Sequence, residues 1–398
     1  MQIILSGNSP GELWGWVRPV ASRLQGQDVS LFLFPCPYAT GREKEVAKSF
    51  GISKIYTPKE SLNFIFRGKK SQSMAFQNPI ILHLGGDVMY AALLARRLRA
   101  KAYAYQWANK IWDRWMTGYF VSDEKQKELL IRRGIHRGKI SVVGNLLLDG
   151  VMGDPPLTSV SSFFKVTFLP GSREAEVYHM LPFYLRIAEL IEQKLPGTQF
   201  RLPISPFMTE LQISKILQKR TRYYLDSSSG YLEKSGDKVN VRTENGTLIE
   251  VGFGNQYTLM KGADCIVTVP GTKCGEAGLM GVPMLVLLPT NRLDQIPYPG
   301  IADLVAKIPF LGPWLKRVLG ARILPKIGFL AQPNILAGKA IVPEFVAKLD
   351  AESMAEAVVS LLRNPERRRE MSNELRFIYS KVKPGTERLV NELLGANA

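Results

Sequence analysis

The residues best suited to chemistry lie in a run from Asp264 to Pro289. A short apolar strand, Cys265 to Val269, meets a Pro270-Gly271-Thr272 turn, a helix of small residues and a second apolar strand, Pro283 to Leu288. Two buried strands joined by a helix form a βαβ unit and predict parallel pairing. Gly271 and Thr272 turn free backbone N–H groups and the positive end of a helix dipole toward any anion. Glu276, one turn further, is a carboxylate able to hold vicinal hydroxyls. A phosphate site beside a diol site is what a nucleotide sugar requires. The small residues of the same helix, Gly275, Gly278 and Gly281 among them, equally suit close packing against a neighbour. This stretch alone leaves both readings open.

Other turns repeat the pattern. The strand Val166 to Leu169 runs into Pro170-Gly171-Ser172-Arg173-Glu174-Ala175-Glu176, a tight turn and helix start with Arg173 available to pair with diphosphate. The strand Pro79 to Leu84 ends in Gly85-Gly86-Asp87. In open parallel sheets ligands gather at the carboxyl ends of strands, so Asp87 is a candidate general base. An Asp after a strand also serves as a helix N-cap. His83, inside the strand, reads as a core residue. Gly7, Asn8, Gly11, Glu12 and Gly15 make a glycine-rich strand-to-helix loop, only loosely like a dinucleotide fingerprint.

These loops need α/β elements to hold them. Strands are expected at Gln2 to Leu5, Val29 to Phe34, Lys101 to Gln106, Tyr119 to Ser122 and Ile140 to Val143, with Asp123 opening a helix to Arg133. The break at Gly153-Asp154-Pro155-Pro156 and Ser159 to Ser162 marks a domain boundary. Val239 to Val251, centred on Asn245-Gly246, is a hairpin signal within a polar stretch, 223–257, that reads as an insertion outside the catalytic core. Asp350 to Leu362 and Pro365 to Lys381 are helices.

Composition narrows the partners. The 398 residues carry a net charge of +17, which favours an anionic partner. No zinc-finger, RNA-recognition or KH signature accompanies it, so nucleic acid ranks last. The segment 61–79 mixes Phe64 and Phe66 with Arg67, Lys69 and Lys70 and contains no acid. That is the composition of a membrane-interface contact, and also that of a mobile solvated loop with a few packed aromatics. The stretch 308–329 is a second such candidate, and Trp107, Trp112 and Trp115 suit a ligand groove, an interface or core packing. Three cysteines, Cys36, Cys265 and Cys274, form no Cys-x-x-Cys, which suits a reducing cytoplasm and argues against zinc. No export signal or spanning run is read.

Taken together, these motifs resemble the lipid-A-disaccharide synthase family. Its Gly-Glu-x-Ser-Gly-Asp-x-x-Gly loop corresponds to Gly7 through Gly15, its Gly-Ile-Asp to Gly85-Gly86-Asp87, and its Pro-Gly-Ser-Arg-x-x-Glu to Pro170 through Glu176. Its Ser-Gly-Thr-x-x-x-Glu is matched by Gly271, Thr272 and Glu276, and its Leu-Pro-Asn-x-Leu-Ala-Gly-Arg by Pro333 through Lys339. Asn8 and Glu12 stand where the family has Glu and Asp, Tyr90 where it has a second Asp, Pro270 where it has Ser, and Asn145 where it has His. Most departures fall in the half that holds the acceptor.

The resemblance implies a GT-B fold, two Rossmann-like domains facing across a cleft. The expected division is 1–155 for the acceptor, 163–364 for the UDP-sugar, and C-terminal helices 365–398 packing back on the first domain. It implies an inverting, metal-independent transfer of a glucosamine, acylated or not, from UDP to a membrane glycolipid such as diacylglucosamine 1-phosphate. Asp87 would be the base, and Ser172, Arg173, Gly271, Thr272 and Glu276 the donor contacts. Asn334 and Asn145 are further candidates. No cofactor is implied, the protein would act at the cytoplasmic membrane face, and a homo-oligomer stays open. The alternatives are another membrane lipid acceptor, a UDP-sugar 2-epimerase, or a binding module without transfer activity.

Overall fold

The apolar runs of this chain segregate into two separate parallel arrays. The computed structural model describes residues 2–36, 39–67, 76–152, 163–172, 174–218, 226–236, 238–254, 256–290 and 328–395. Two compact units result: Met1–Pro155 with Ser380–Ala398, and Pro156–Tyr379. The stretch 308–329, read as a membrane contact, lies outside the described residues except at its last positions, and the boundary at 153–162 lies wholly outside them.

In the first unit β1 (Gln2–Gly7), β2 (Asp28–Leu33), β3 (Lys54–Tyr56), β4 (Ile80–His83), β5 (Lys101–Tyr105), β6 (Gly118–Val121) and β7 (Ile140–Val142) form a sheet in the order β3-β2-β1-β4-β5-β6-β7. Every pair is parallel. Helices cover both faces of such a sheet, which is why Ile3, Ile4 and Leu5 are wholly buried without alternating with polar residues. The order reverses between β1 and β4.

The second unit pairs β8 (Lys165–Leu169) with β9 (Gln199–Ile204) on one side and β13 (Cys265–Thr268) on the other. β14 (Met284–Pro289) and β15 (Glu344–Ala347) continue beyond β13. The predicted βαβ unit, β13 to β14, is present with Ile266 opposite Met284. Here the order reverses between β8 and β13. Both units are Rossmann-like, as a GT-B chain requires.

Three expectations need correction. The hairpin around Asn245-Gly246 forms, from β11 (Lys238–Thr243) and β12 (Leu248–Phe253), with β10 (Gly230–Ser235) beside β11. It is no insertion: β12 pairs in parallel with β9, Ile249 opposite Phe200, so the hairpin extends the main sheet. Its alternating Ile249 and Val251 are buried and tie it to the core.

The second concerns Phe64, read as a membrane contact. It lies on the helix Pro58–Arg67 and is only 3% exposed, packed against Phe32 at 5.6 Å and Phe76 at 6.1 Å. Phe66 and Arg67 on the same helix are exposed, and Lys69 and Lys70 lie outside the described residues.

The third concerns the C-terminal helices. Pro365–Tyr379 stays with the second unit, where Ser372 Oγ donates to the Gly281 carbonyl at 2.7 Å and a Cβ on Gly278 would strike the Tyr379 ring. Only Thr386–Gly395 joins the first unit. Its start is held by Asp149 Oδ2, which accepts from Gly385 N at 2.8 Å and Thr386 N at 3.1 Å. Gly144 permits the backbones to touch there, since a Cβ would meet the Pro384 carbonyl at 2.6 Å. Asp149→Ala removes this cap and is expected to cost about 1 kcal/mol, read by urea unfolding together with faster proteolysis near Lys383.

Candidate functional site

The predicted loops collect at the two places where strand order reverses. In doubly wound sheets that position, at the carboxyl ends of the strands, is where ligands bind. In the first unit it brings the loop after β1, Gly7 to Glu12, beside the loop after β4, Gly85 to Asp87. In the second it brings Pro170 to Ser172 beside Pro270 to Thr272. Residues more than seventy positions apart in each unit are joined by topology alone.

In the first unit, Ser9 caps the short helix Pro10–Glu12, and Glu12 reaches back in a capping box. Glu12 Oε2 accepts from Ser9 N at 3.2 Å, while Oε1 accepts from Gly86 N at 3.3 Å. Burial pushes the Glu12 carboxyl above the ordinary carboxylate range, against smaller lowering effects from its bonds to Ser9, Gly86 and Asn8. Gly85 and Gly86 have φ of 151° and 89°. A Cβ on Gly85 would overlap the Glu12 carboxyl, and one on Gly86 would come within 2.5 Å of the Asn8 amide. Gly11 faces open space, and Gly7 makes only ordinary contacts with Leu13 and Val17.

Asp87 is exposed and does act as the N-cap of the helix Val88–Leu98, accepting from Met89 N at 2.9 Å. One oxygen is thus engaged and the other remains to accept a proton. His83 is wholly buried and serves as a structural link. Its Nε2 lies 3.3 Å from the Gly86 carbonyl, which can only accept, so Nε2 carries the proton and Nδ1 accepts from Ser6 Oγ at 2.9 Å. Burial pushes the His83 pKa down to about 4, chiefly by desolvating the charged ring.

In the second unit, Gly171 (φ 109°) makes the turn, and Glu176 folds back so that its Oε2 accepts from Ser172 N at 3.1 Å. The Ser172 N–H is therefore engaged within the turn. Arg173 lies outside the described residues. Gly271 and Thr272 are exposed at the start of the helix Thr272–Leu279, with nothing packed where a Gly271 Cβ would point. Glu276, expected on this helix as a diol ligand, is instead buried and bonded to Lys273 Nζ at 2.6 Å. Gly275 clears the Gln332 amide and Gly278 the Tyr379 ring, so these small residues do serve packing.

Two of the remaining candidates are structural clamps. Asn334 is fully buried: Nδ2 donates to the Val342 carbonyl and Glu344 Oε1, and Oδ1 accepts from Ile341 N and Val342 N. Its four bonds saturate it. Asn145, after the edge strand β7, accepts from Leu147 N at 2.9 Å and bridges to Pro384. The helix that follows it packs on the segment after β1, where a Cβ on Gly15 would meet Leu147 at 3.1 Å. A residue that no sequence pattern marks is Gln106, at the end of β5. Its φ is +68° and its buried Oε1 has no partner among the described residues.

With this geometry in hand, the likeness to known proteins is informative. No family model matches the chain. A lipid-A-disaccharide synthase of Nitrosococcus oceani is 28% identical over 226 residues, covering 56% of this chain and 46% of its own length. One from Syntrophus aciditrophicus is 25% identical over 251 residues, 61% of this chain and 53% of that one. The chain resembles the lipid-A-disaccharide synthases. It spans about half the length of the curated relatives it matches. Among solved structures, the UDP-GlcNAc 2-epimerase of Neisseria meningitidis bound to UDP-GlcNAc superposes with a TM-score of 0.55 at 16% identity, covering all of both chains. The S. aureus MnaA–UDP co-structure gives 0.56 at 13% identity, covering 100% of this chain and 96% of that one. These structures establish the fold.

The depressed His83 pKa has a measurable consequence. The charged ring is disfavoured in the fold, so stability is present above the unfolded value near 6.5 and is lost as pH falls toward about 4. We expect about 3 kcal/mol of acid-dependent stability across that window, absent in His83→Gln, from denaturant unfolding at a series of pH values.

Proposed function

We propose that the protein is an inverting glycosyltransferase that moves a glucosamine unit from a UDP donor to a membrane glycolipid, as the lipid-A-disaccharide synthases it resembles do. The observation that carries this reading is the gathering of the resembling loops at the strand-order reversal of each unit. A single displacement accounts for the chemistry. The acceptor hydroxyl attacks the anomeric carbon, the bond to UDP breaks, UDP leaves with the electron pair, and Asp87 takes the hydroxyl proton. The exposed N–H groups at Gly271 and Thr272 would receive phosphate oxygens, with Arg173 assigned by its motif. Lys273 engages one oxygen of Glu276, so we assign the pair, rather than Glu276 alone, to the donor side, with the second carboxylate oxygen meeting the ribose. The epimerase reading rests on fold likeness without an acid–base constellation to match and is not favoured.

Asp87→Asn tests the base directly, because Asn retains the helix cap that Asp87→Ala would remove. Release of UDP from UDP-linked diacylglucosamine, with diacylglucosamine 1-phosphate as acceptor, should fall about 100-fold or more at unchanged stability. Wild-type rates in the folded variant would exclude Asp87 as base. UDP release with another lipid alone would reassign the acceptor, and sugar turnover with no acceptor would favour the epimerase.

A lipid acceptor calls for a membrane-facing surface. No helix among the described residues is long and apolar enough to cross a bilayer. In the first unit Phe66, Trp107 and Ile111 are 65%, 47% and 72% exposed. Arg97 links the helix bearing Phe66 to its neighbour by donating to the Ile65 carbonyl, and Arg96 lies over Trp115, itself covered by Arg114 at 3.8 Å. Exposed apolar groups among arginines suit anionic lipid headgroups. We expect sedimentation with phosphatidylglycerol vesicles that weakens with salt, and about tenfold weaker binding for the double variant Ile111→Ser with Trp107→Ser.

A further inference from the structure

Within the proposed reaction Asp87 is the only group of its unit assigned a chemical step, yet among the described residues its carboxylate is held by nothing but its helix cap. What fixes its position is the preceding peptide. The Gly86 N–H donates to Glu12 Oε1, and the Gly86 carbonyl faces His83 Nε2, whose other nitrogen is held by Ser6. Both polar atoms of one glycine are thereby gripped by side chains, one from the short helix after β1 and one from β4. The fit is steric as well. Gly85 leaves the space that the Glu12 carboxyl fills, and Gly86 leaves the space that the Asn8 amide fills. Glu12 also ties its own loop through Ser9 N.

We propose that Glu12 is the positioning residue for Asp87: an ionised carboxylate that locks the Gly85–Asp87 turn to the loop after β1. The inference rests on the transferase reading and deepens it. A simple capping-box glutamate needs only the bond to Ser9. The second bond, to a loop 74 residues away, is what the helix start does not require. Burial that raises the carboxyl pKa works against this ionised form, so the clamp is retained against a local cost. The titratable groups beside it on β4 and its loop are His83, held neutral, and Asp87.

The test is a double-mutant cycle on UDP release. Glu12→Gln offers one acceptor in place of two and is expected to lower kcat roughly ten- to hundredfold, with KM for the UDP donor unchanged because that donor is assigned to the other unit. In the Asp87→Asn background the same substitution should add little, because the effect passes through Asp87. Amide exchange at Gly86 should quicken in Glu12→Gln whether or not turnover is measured. A full additional loss in the Asp87→Asn background, a rise in donor KM in place of the fall in kcat, or unchanged Gly86 exchange would each overturn the proposal. A wild-type protein that releases no UDP with any acceptor overturns the transferase reading instead, and Gly86 exchange then decides the clamp by itself.

Discussion

The Leu84 N–H donates to the Ser6 carbonyl at 2.7 Å, carrying the parallel ladder of β1 and β4 one step past the end of β4. Much of the first unit's chemistry depends on that register. It sets Ser6 opposite His83, so that a hydroxyl and an imidazole meet inside the sheet. One residue later both chains leave the sheet, and their loops emerge side by side. A slip of one position would send Ser6 and His83 to opposite faces. His83 Nδ1 would then lose the Ser6 hydroxyl. Side-chain chemistry at the surface is here a by-product of backbone pairing in the core.

The second unit follows the same geometric rule but spends its polar groups differently. Glu176 closes the turn after β8 and Lys273 closes over Glu276, so the carboxylates beside these two turns are internally paired. The open hydrogen-bonding capacity lies in the backbone at Gly271 and Thr272. An anion binding there would meet dipoles already fixed by the strand-to-helix turn, with little reorganisation. The two units thus present contrasting surfaces: a side-chain carboxylate at Asp87 in one, main-chain donors in the other.

Much of this was legible in the sequence for a physical reason. Parallel strands buried on both faces are written as unbroken apolar runs, and the glycine-bearing turns after them are obligatory, so β1, β4, β8 and β13 with their loops could be read directly. β3, β9, β10 and β15 were missed: β3 has three residues, and Arg201 interrupts the apolar pattern of β9. Burial of individual side chains was less accessible. Phe64 and Phe66 are two positions apart on one helix and face opposite environments, a distinction that composition cannot make. Asn334 looked like a ligand residue because its motif is long and unusual, yet that motif encodes a self-contained loop anchor. Gln106 left no trace at all: its strain is a property of the backbone, and glutamine carries no signature for it.

The chain passes between its units twice, near Pro155 and again near Ser380. Asp149, made in the first half of synthesis, waits for Gly385 and Thr386 to be translated before it finds its partners. The first unit therefore cannot finish folding as the ribosome releases it; its last helix arrives only after the entire second unit has been made. Order of synthesis and order of completion run opposite to one another, and the nascent first unit must persist with its final helix missing while the second is being built.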